Sequence, residues 1–166
     1  MDEGFEEYVA HRHARLCRMA YLLCRDWGAA EDLVQTALAR AWLAWRRVEG
    51  DPDPYVYRII VNTHATWWRR RRRGEVPAES LPETADPRDR AAEADDQAAL
   101  WGAIGALSPR QRAVVVLHYF EGHTLTQVAG IIGCSPGAVK SQLNRALNKL
   151  RIDPDVRSVH VEGARR

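Results

Sequence analysis

The sequence predicts an all-α protein made of two small helical domains joined by a flexible acidic linker. Three observations predict it. Apolar residues recur at helical spacing through residues 1–73 and again through 97–151. Helix-capping residues and helix stops punctuate both blocks. Between them, GEVPAESLPETADPRDRAAEADD (74–96) is rich in Pro, Glu, Asp and Ala and offers almost nothing large to bury. At 166 residues and 46% hydrophobic, the chain can bury one core of ordinary size or two small ones. Its formal net charge of +2 conceals a partition. Residues 1–73 carry 13 Lys/Arg against 10 Asp/Glu, residues 74–96 carry 2 against 8, and residues 97–166 carry 9 against 4. Two basic blocks therefore flank an acidic connector, which either solubilises the chain or mimics nucleic acid in a basic channel of a partner.

The first block reads as three helices. Phe5, Tyr8, Val9, Leu16, Met19, Ala20 and Leu23 fall on one helical face, and Gly28 interrupts before a second helix near Ala30. In that second helix Val34, Ala37, Leu38, Ala41, Trp42 and Trp45 form an apolar stripe expected in the core. Asp32, Gln35, Thr36, Ala39 and Arg40 lie largely away from it, on a face that either docks a partner or is merely solvated. The segment VEGDPDP (48–54) is turn-rich, and Asp53-Pro54 caps a third helix running from Tyr55. The third helix buries Val56, Ile59, Ile60 and Thr63, aligns Arg58, Asn62, Thr66 and Arg69 on another side, and ends in five consecutive arginines, Arg69 to Arg73. Such a cluster suits phosphates, and Trp67 and Trp68 beside it offer flat surfaces for an unpaired base, one of the two being expected in the core.

The second block holds the strongest signal, TLTQVAGIIGCSPGAVKSQLNRALNKLR (124–151). Thr124 with Gln127 forms a capping box, and Leu125, Val128, Ala129 and Ile132 give a short helix one apolar face. Gly133 stops it by accepting left-handed backbone; Ser135 and Pro136 then start another helix at once. Val139, Leu143, Ala146, Leu147 and Leu150 form its apolar stripe. Gly137, Lys140, Ser141, Asn144, Arg145 and Asn148 stand opposite, with no carboxylate among them, as a helix entering an anionic groove and reading base edges requires.

Other chemistries find no support. Cys17, Cys24 and Cys134 are odd in number and far apart, so neither a disulfide framework nor a zinc site is indicated, and a reducing cytoplasm is the expected setting. Glu31 and Asp32 diverge on a helix, no serine or cysteine stands in triad-like order with a histidine, and His11 and His13 do not share a face. No catalytic residue, metal or cofactor is therefore expected. The absence of a leader-like N-terminus or an 18-residue apolar run argues against secretion and membrane spanning.

The order EDLVQTALARAW (31–42), YVYRIIVNTHATWWRRRRR (55–73), acidic linker, then LSPRQRAVVVLHYFEGHTLTQVAGIIGCSPGAVKSQLNRALNKLR (107–151) resembles an extracytoplasmic-function (ECF) RNA polymerase sigma factor of the actinobacterial kind. The D-L-x-Q of the second helix, the V-N-T of the third and the G-x-V-K-S of the last appear in order across residues 4–151. The chain departs from the pattern at Thr36, where many relatives carry Glu, and at Leu38, where many carry an aromatic. The resemblance implies that residues 1–73 are sigma domain 2 and residues 97–151 sigma domain 4, with 152–166 a tail. Asp32, Gln35 and Arg40 would then meet the clamp helices of the polymerase beta-prime subunit. The loop with Asp51, together with Arg58, Asn62, Trp67, Trp68, Arg69 and Arg70, would hold a flipped base and the strand of the minus-ten element. Ser135, Gly137, Lys140, Ser141, Asn144 and Arg145 would read the minus-thirty-five element, with Lys149 and Arg151 on phosphates. A hairpin from Ser108 to Gly122, opened by Ser108-Pro109-Arg110-Gln111, would meet the beta flap, and the acidic linker would thread toward the RNA exit path. Core RNA polymerase and promoter DNA are thus the implied partners, an anti-sigma factor is an admissible third, and the free chain is expected to be monomeric. A one-component helix-turn-helix regulator is the alternative; it predicts tight operator binding without polymerase.

Overall fold

Local chemistry starts and stops each helix of the computed structural model, which describes residues 2–74 and 101–152. Helix α1 (Glu3–Cys24) begins at Asp2, whose carboxylate accepts from the Gly4 amide, and ends at Arg25 in the left-handed region with φ 60°. Helix α2 (Trp27–Ala44) follows immediately because Asp26 accepts from the Ala29 amide at 2.8 Å. The interruption expected at Gly28 therefore lies earlier, at Arg25 and Asp26, and Gly28 sits inside the first turn of α2. A 3-10 turn (Trp45–Arg47) leads to the loop, and α3 (Asp53–Arg72) starts two residues before the expected Tyr55, with Pro54 in its first turn.

In the second lobe, residues 101–105 are helical and α4 (Pro109–Val115) opens with a full capping box between Ser108 and Gln111. It continues as a π turn (Val116–Phe120). Helix α5 (Leu125–Ile132) has the expected Thr124–Gln127 capping box and ends at Gly133 with φ 81°, a backbone that a β-carbon would strain. Helix α6 (Pro136–Ile152) starts where the Ser135 hydroxyl accepts from the Ala138 amide. The all-α class and the helix-turn-helix are as the sequence predicts.

The buried side chains form one cluster that runs through both lobes, from Leu16, Leu23, Val56 and Ile60 to Leu117, Val128, Val139 and Leu150. One shared core, not two small ones, is the solution adopted. Helix α3 stands at its centre: Val56 and Ile60 are fully buried, and Tyr57 and His64 are covered as well, because the second lobe packs against the side they occupy. The expected stripe of α2 is only partly core. Trp42 remains 49% exposed, and Trp45 packs edge-on against Phe5 at the rim instead of beneath it. Residues 75–96 of the expected linker and the tail after Ile152 lie outside the described residues.

Candidate nucleic-acid interface

The second lobe presents α6 as a two-faced helix. Val139, Leu143, Ala146 and Leu150 are buried against α4 and α5, while Gly137, Lys140, Ser141, Asn144, Arg145 and Asn148 are exposed. The buried face fixes the rotation of the helix, and that rotation turns the polar set outward as one surface. Lys149 behaves differently: its ammonium donates to Gln111 Oε1 at 2.9 Å, and Gln111 also accepts from the Ser108 amide. Lys149 thereby ties the end of α6 to the start of α4.

The residues expected to face an unpaired strand lie along α3 and its entry loop. Asp51 is exposed and closes a turn by accepting from the Asp53 amide at 3.0 Å. Asp53, nearly buried, accepts from the Tyr8 hydroxyl at 2.8 Å and pairs with Arg12 at 3.1 Å, so α1 clamps the loop to the start of α3. Asn62 is exposed, and Arg69 lies one helical row further, donating to Thr66. Trp67 packs partly into the core, while Trp68 lies under the Arg72 guanidinium at 4.7 Å. Neither tryptophan is fully in the core: both are half-buried, and only Trp67 packs against the core cluster. Arg70 is exposed.

Arg58 is placed otherwise than the sequence suggests. Its guanidinium donates to the carbonyls of Gly130 and Ile131 at 2.5 and 3.2 Å, at the C-terminal end of α5. Those carbonyls have no intrahelical partner and carry the negative end of the helix dipole, so a cation is favoured there. Beside it Tyr57 donates to Glu121 Oε2 at 3.0 Å, and the same oxygen accepts from Arg15 Nε at 2.8 Å. Burial and the Glu121 carboxylate raise the Tyr57 phenol above its ordinary range, and the Glu121 hydrogen bond raises Arg15. Glu121 is the single carboxylate between residues 97 and 151, which is the one signal in the sequence that could have marked it.

Arg112 closes the joint at its other end. Its buried guanidinium donates to Leu23 O at the C-terminus of α1 and to the carbonyls of Ile104, Gly105 and Leu107. Burial, then the nearby Arg25, lowers its pKa to about 10. Backbone carbonyls at the end of α1 and around residues 104–107 take the place of a carboxylate here. His64, buried beside Arg112 and Arg71, is lowered to about 4, chiefly by loss of solvent.

On α2, Asp32 and Gln35 are exposed, whereas Arg40 donates to Thr63 Oγ1 at 3.2 Å and so bridges α2 to α3. Gln35 borders an open groove of about 410 Å³ lined by Phe5, Val9, Leu38, Ala39 and Trp42. This apolar groove was not expected from the sequence, which assigns Trp42 to the core. Among the described residues no cluster of three or more His, Cys, Asp or Glu could hold a metal, and no helix is long and apolar enough to cross a membrane.

Residues 8–74 match the family model of sigma-70 region 2, and residues 97–150 match that of sigma-70 region 4. The chain is 45% identical over 150 residues to an RNA polymerase sigma-E factor of Streptomyces coelicolor, covering 89% of this chain and 84% of that relative. It is 30% identical to the ECF RNA polymerase sigma factor SigM of Mycobacterium tuberculosis, covering 89% and 75%. Among solved structures, the sigma factor RpoE of Bartonella quintana in complex with the anti-sigma factor NepR superimposes with a TM-score of 0.75 at 26% identity, over 94% of this chain and 99% of that one. With both matched regions in order on one helical scaffold, the chain belongs to the ECF sigma factors, of the kind found in actinobacteria.

Proposed function

We propose that the two lobes divide the work of a sigma factor: residues 1–73 bind core RNA polymerase and open the minus-ten element, and residues 97–151 read the minus-thirty-five element. The observation that carries this reading is the outward face of α6, where Lys140, Ser141, Asn144 and Arg145 stand together on a helix whose opposite side is fixed in the core. Asp32 and Gln35, with the apolar groove beside Gln35, meet the beta-prime clamp helices, and Arg40 holds α2 in register through Thr63. Asn62, Arg69 and Arg70, with Trp67 and Trp68, line the path of the non-template strand, and Asp51 guards the loop that receives its flipped base. Ser135 and Gly137 approach the backbone at the start of α6. Lys149 acts through Gln111 as a brace and takes phosphate only if that bond opens. The linker runs toward the RNA exit path, the β flap meets the α4 hairpin, and the chain works in the cytoplasm as a partner of polymerase with no catalytic step of its own. A one-component regulator is not favoured, since it leaves the entire first lobe without a role.

The test is in vitro transcription with core polymerase on a promoter library, comparing duplex templates with templates carrying a pre-melted bubble. Wild-type protein should select a two-element promoter. Asn62→Ala should impair the duplex template more than the bubble. Equal defects on both would remove Asn62 from promoter melting, and nanomolar duplex binding without polymerase would return the one-component reading.

A further inference from the structure

Gly137 heads the outward row of α6, one turn before Lys140 and Ser141 and two before Asn144. Nothing in the chain requires a glycine there. Its backbone is not in the left-handed region, unlike that of Gly133 at φ 81°. There is room for a side chain too: the nearest atom to a β-carbon built at 137 is Ser135 Oγ, at an ordinary contact distance of 3.9 Å. Gly105 is the contrary case, since a β-carbon there would collide with the Arg25 guanidinium. A helical glycine with neither reason is a cost to the fold, because alanine at the same place loses less backbone entropy. Gly102 and Gly130 are open in the same way, but Gly137 alone of the three stands on the row of the proposed DNA readers. Its amide is open as well. Pro136 has no N–H, and the Ala138 and Val139 amides donate to Ser135 Oγ and Ser135 O, each at 3.1 Å. Gly137 is thus the first-turn N–H of α6 left without an acceptor among the described residues. Cα–Cβ bonds lean toward the N-terminus of a helix, so a methyl on residue 137 would project toward that open end.

We infer that promoter DNA, not the fold, keeps residue 137 bare: Gly137 is a positioning residue that lets the DNA backbone close on the start of α6 and so sets how deeply Lys140, Ser141, Asn144 and Arg145 enter the groove. A phosphate oxygen must come within about 2.7–3.2 Å of the Gly137 nitrogen to accept from it. Contacts of this kind fix register and orientation without themselves carrying sequence. A side chain at 137 holds the helix away from the phosphate, and the base-edge contacts further along α6 then lengthen together. The inference rests on the proposed reading of α6 as the minus-thirty-five reader; the openness of position 137 does not.

The experiment uses the full chain assembled with core RNA polymerase and a duplex promoter selected from the library by the wild-type holoenzyme, beside the same promoter with its upstream element scrambled. Gly137→Ala should raise the thermal midpoint of the free chain by about 2 °C. It should also weaken binding of the intact promoter about tenfold, and Gly137→Leu should weaken it further. The preference for intact over scrambled promoter should fall in step, while affinity for core polymerase stays as in wild type. Gly102→Ala, at an exposed helical position outside α6, should raise the midpoint in the same way and leave promoter binding unchanged. That pair separates helix propensity from contact with DNA. Unchanged promoter binding by both Gly137 variants overturns the inference, as does an equal loss on intact and scrambled promoters. A lower midpoint in Gly137→Ala also overturns it, because the glycine would then serve the fold. Arg145→Ala tests the underlying reading: if it abolishes upstream discrimination while Gly137→Ala does not, this inference alone fails. If neither changes discrimination, α6 is not the upstream reader and both fall.

Discussion

Tyr8 and Asp53, 45 residues apart, are joined by a 2.8 Å hydrogen bond in which the phenol donates to the carboxylate that begins α3. Arg12 holds the second carboxylate oxygen at 3.1 Å, and Asp51 receives the Asp53 amide, so one residue fixes both the loop and the helix start. Burial, then the Asp53 bond, pushes the Tyr8 phenol above its usual range. Because Arg12 is 38% exposed, its ion pair counts for little; the larger loss on mutation is the Tyr8 hydroxyl left without its acceptor. Asp53→Ala should destabilise the protein by about 1–3 kcal/mol in urea denaturation. It should also weaken transcription more on duplex than on bubble templates, since the loop loses its position.

Base-edge and phosphate contacts should separate by what each mutation changes. Lys140→Ala or Arg145→Ala should cost roughly 1–3 kcal/mol at one upstream base pair, because a base-edge contact discriminates between sequences. Replacing Arg69 and Arg70 together should instead weaken binding across all promoters and flatten its salt dependence. Binding titrations over a promoter set at several salt concentrations check both. Uniform loss from Arg145→Ala would remove it from sequence reading.

The groove beside Gln35 places Trp42 on the face proposed for polymerase. Being half exposed, it contributes little to the core, and Trp42→Ala should change stability by less than about 1 kcal/mol. Its loss from a buried interface should weaken core-polymerase binding by about 2 kcal/mol or more. Asp32 and Gln35 substituted together should act in the same direction. Polymerase affinity measured beside thermal stability tests this, and parallel loss of both would mean that Trp42 serves the fold.

Stability should fall with acid in a manner traceable to His64. Its folded pKa of about 4 lies below the ordinary 6.5, so between these values the unfolded chain takes up a proton that the folded one refuses. The stabilisation is fully present above pH 6.5 and is lost as pH drops through 4, amounting to about 3 kcal/mol at most. Denaturant titrations of wild type and His64→Leu across that window should show a shallower pH dependence in the variant. Identical slopes would place the titration elsewhere.

The sequence by itself determined most of the helices, the caps at Ser108, Thr124 and Ser135, and the outward polar face of α6. Those features depend on neighbours three or four residues away: Thr124 with Gln127, Ser108 with Gln111, Ser135 with Ala138, and the stripe Val139, Leu143, Ala146 and Leu150. The family motifs were legible for the same reason, being short and in order. The tertiary structure alone decided which polar groups are available. Arg58 meets carbonyls 72 and 73 residues away, Arg15 meets Glu121 across 106, and Arg112 meets Leu23 across 89, separations to which no helical period is sensitive. Trp42 likewise reads as core by its spacing and is half exposed, bordering an open groove with Phe5 and Val9 of α1. Helix periodicity assigns a side chain to a face; what covers that face depends on how the two lobes share one core.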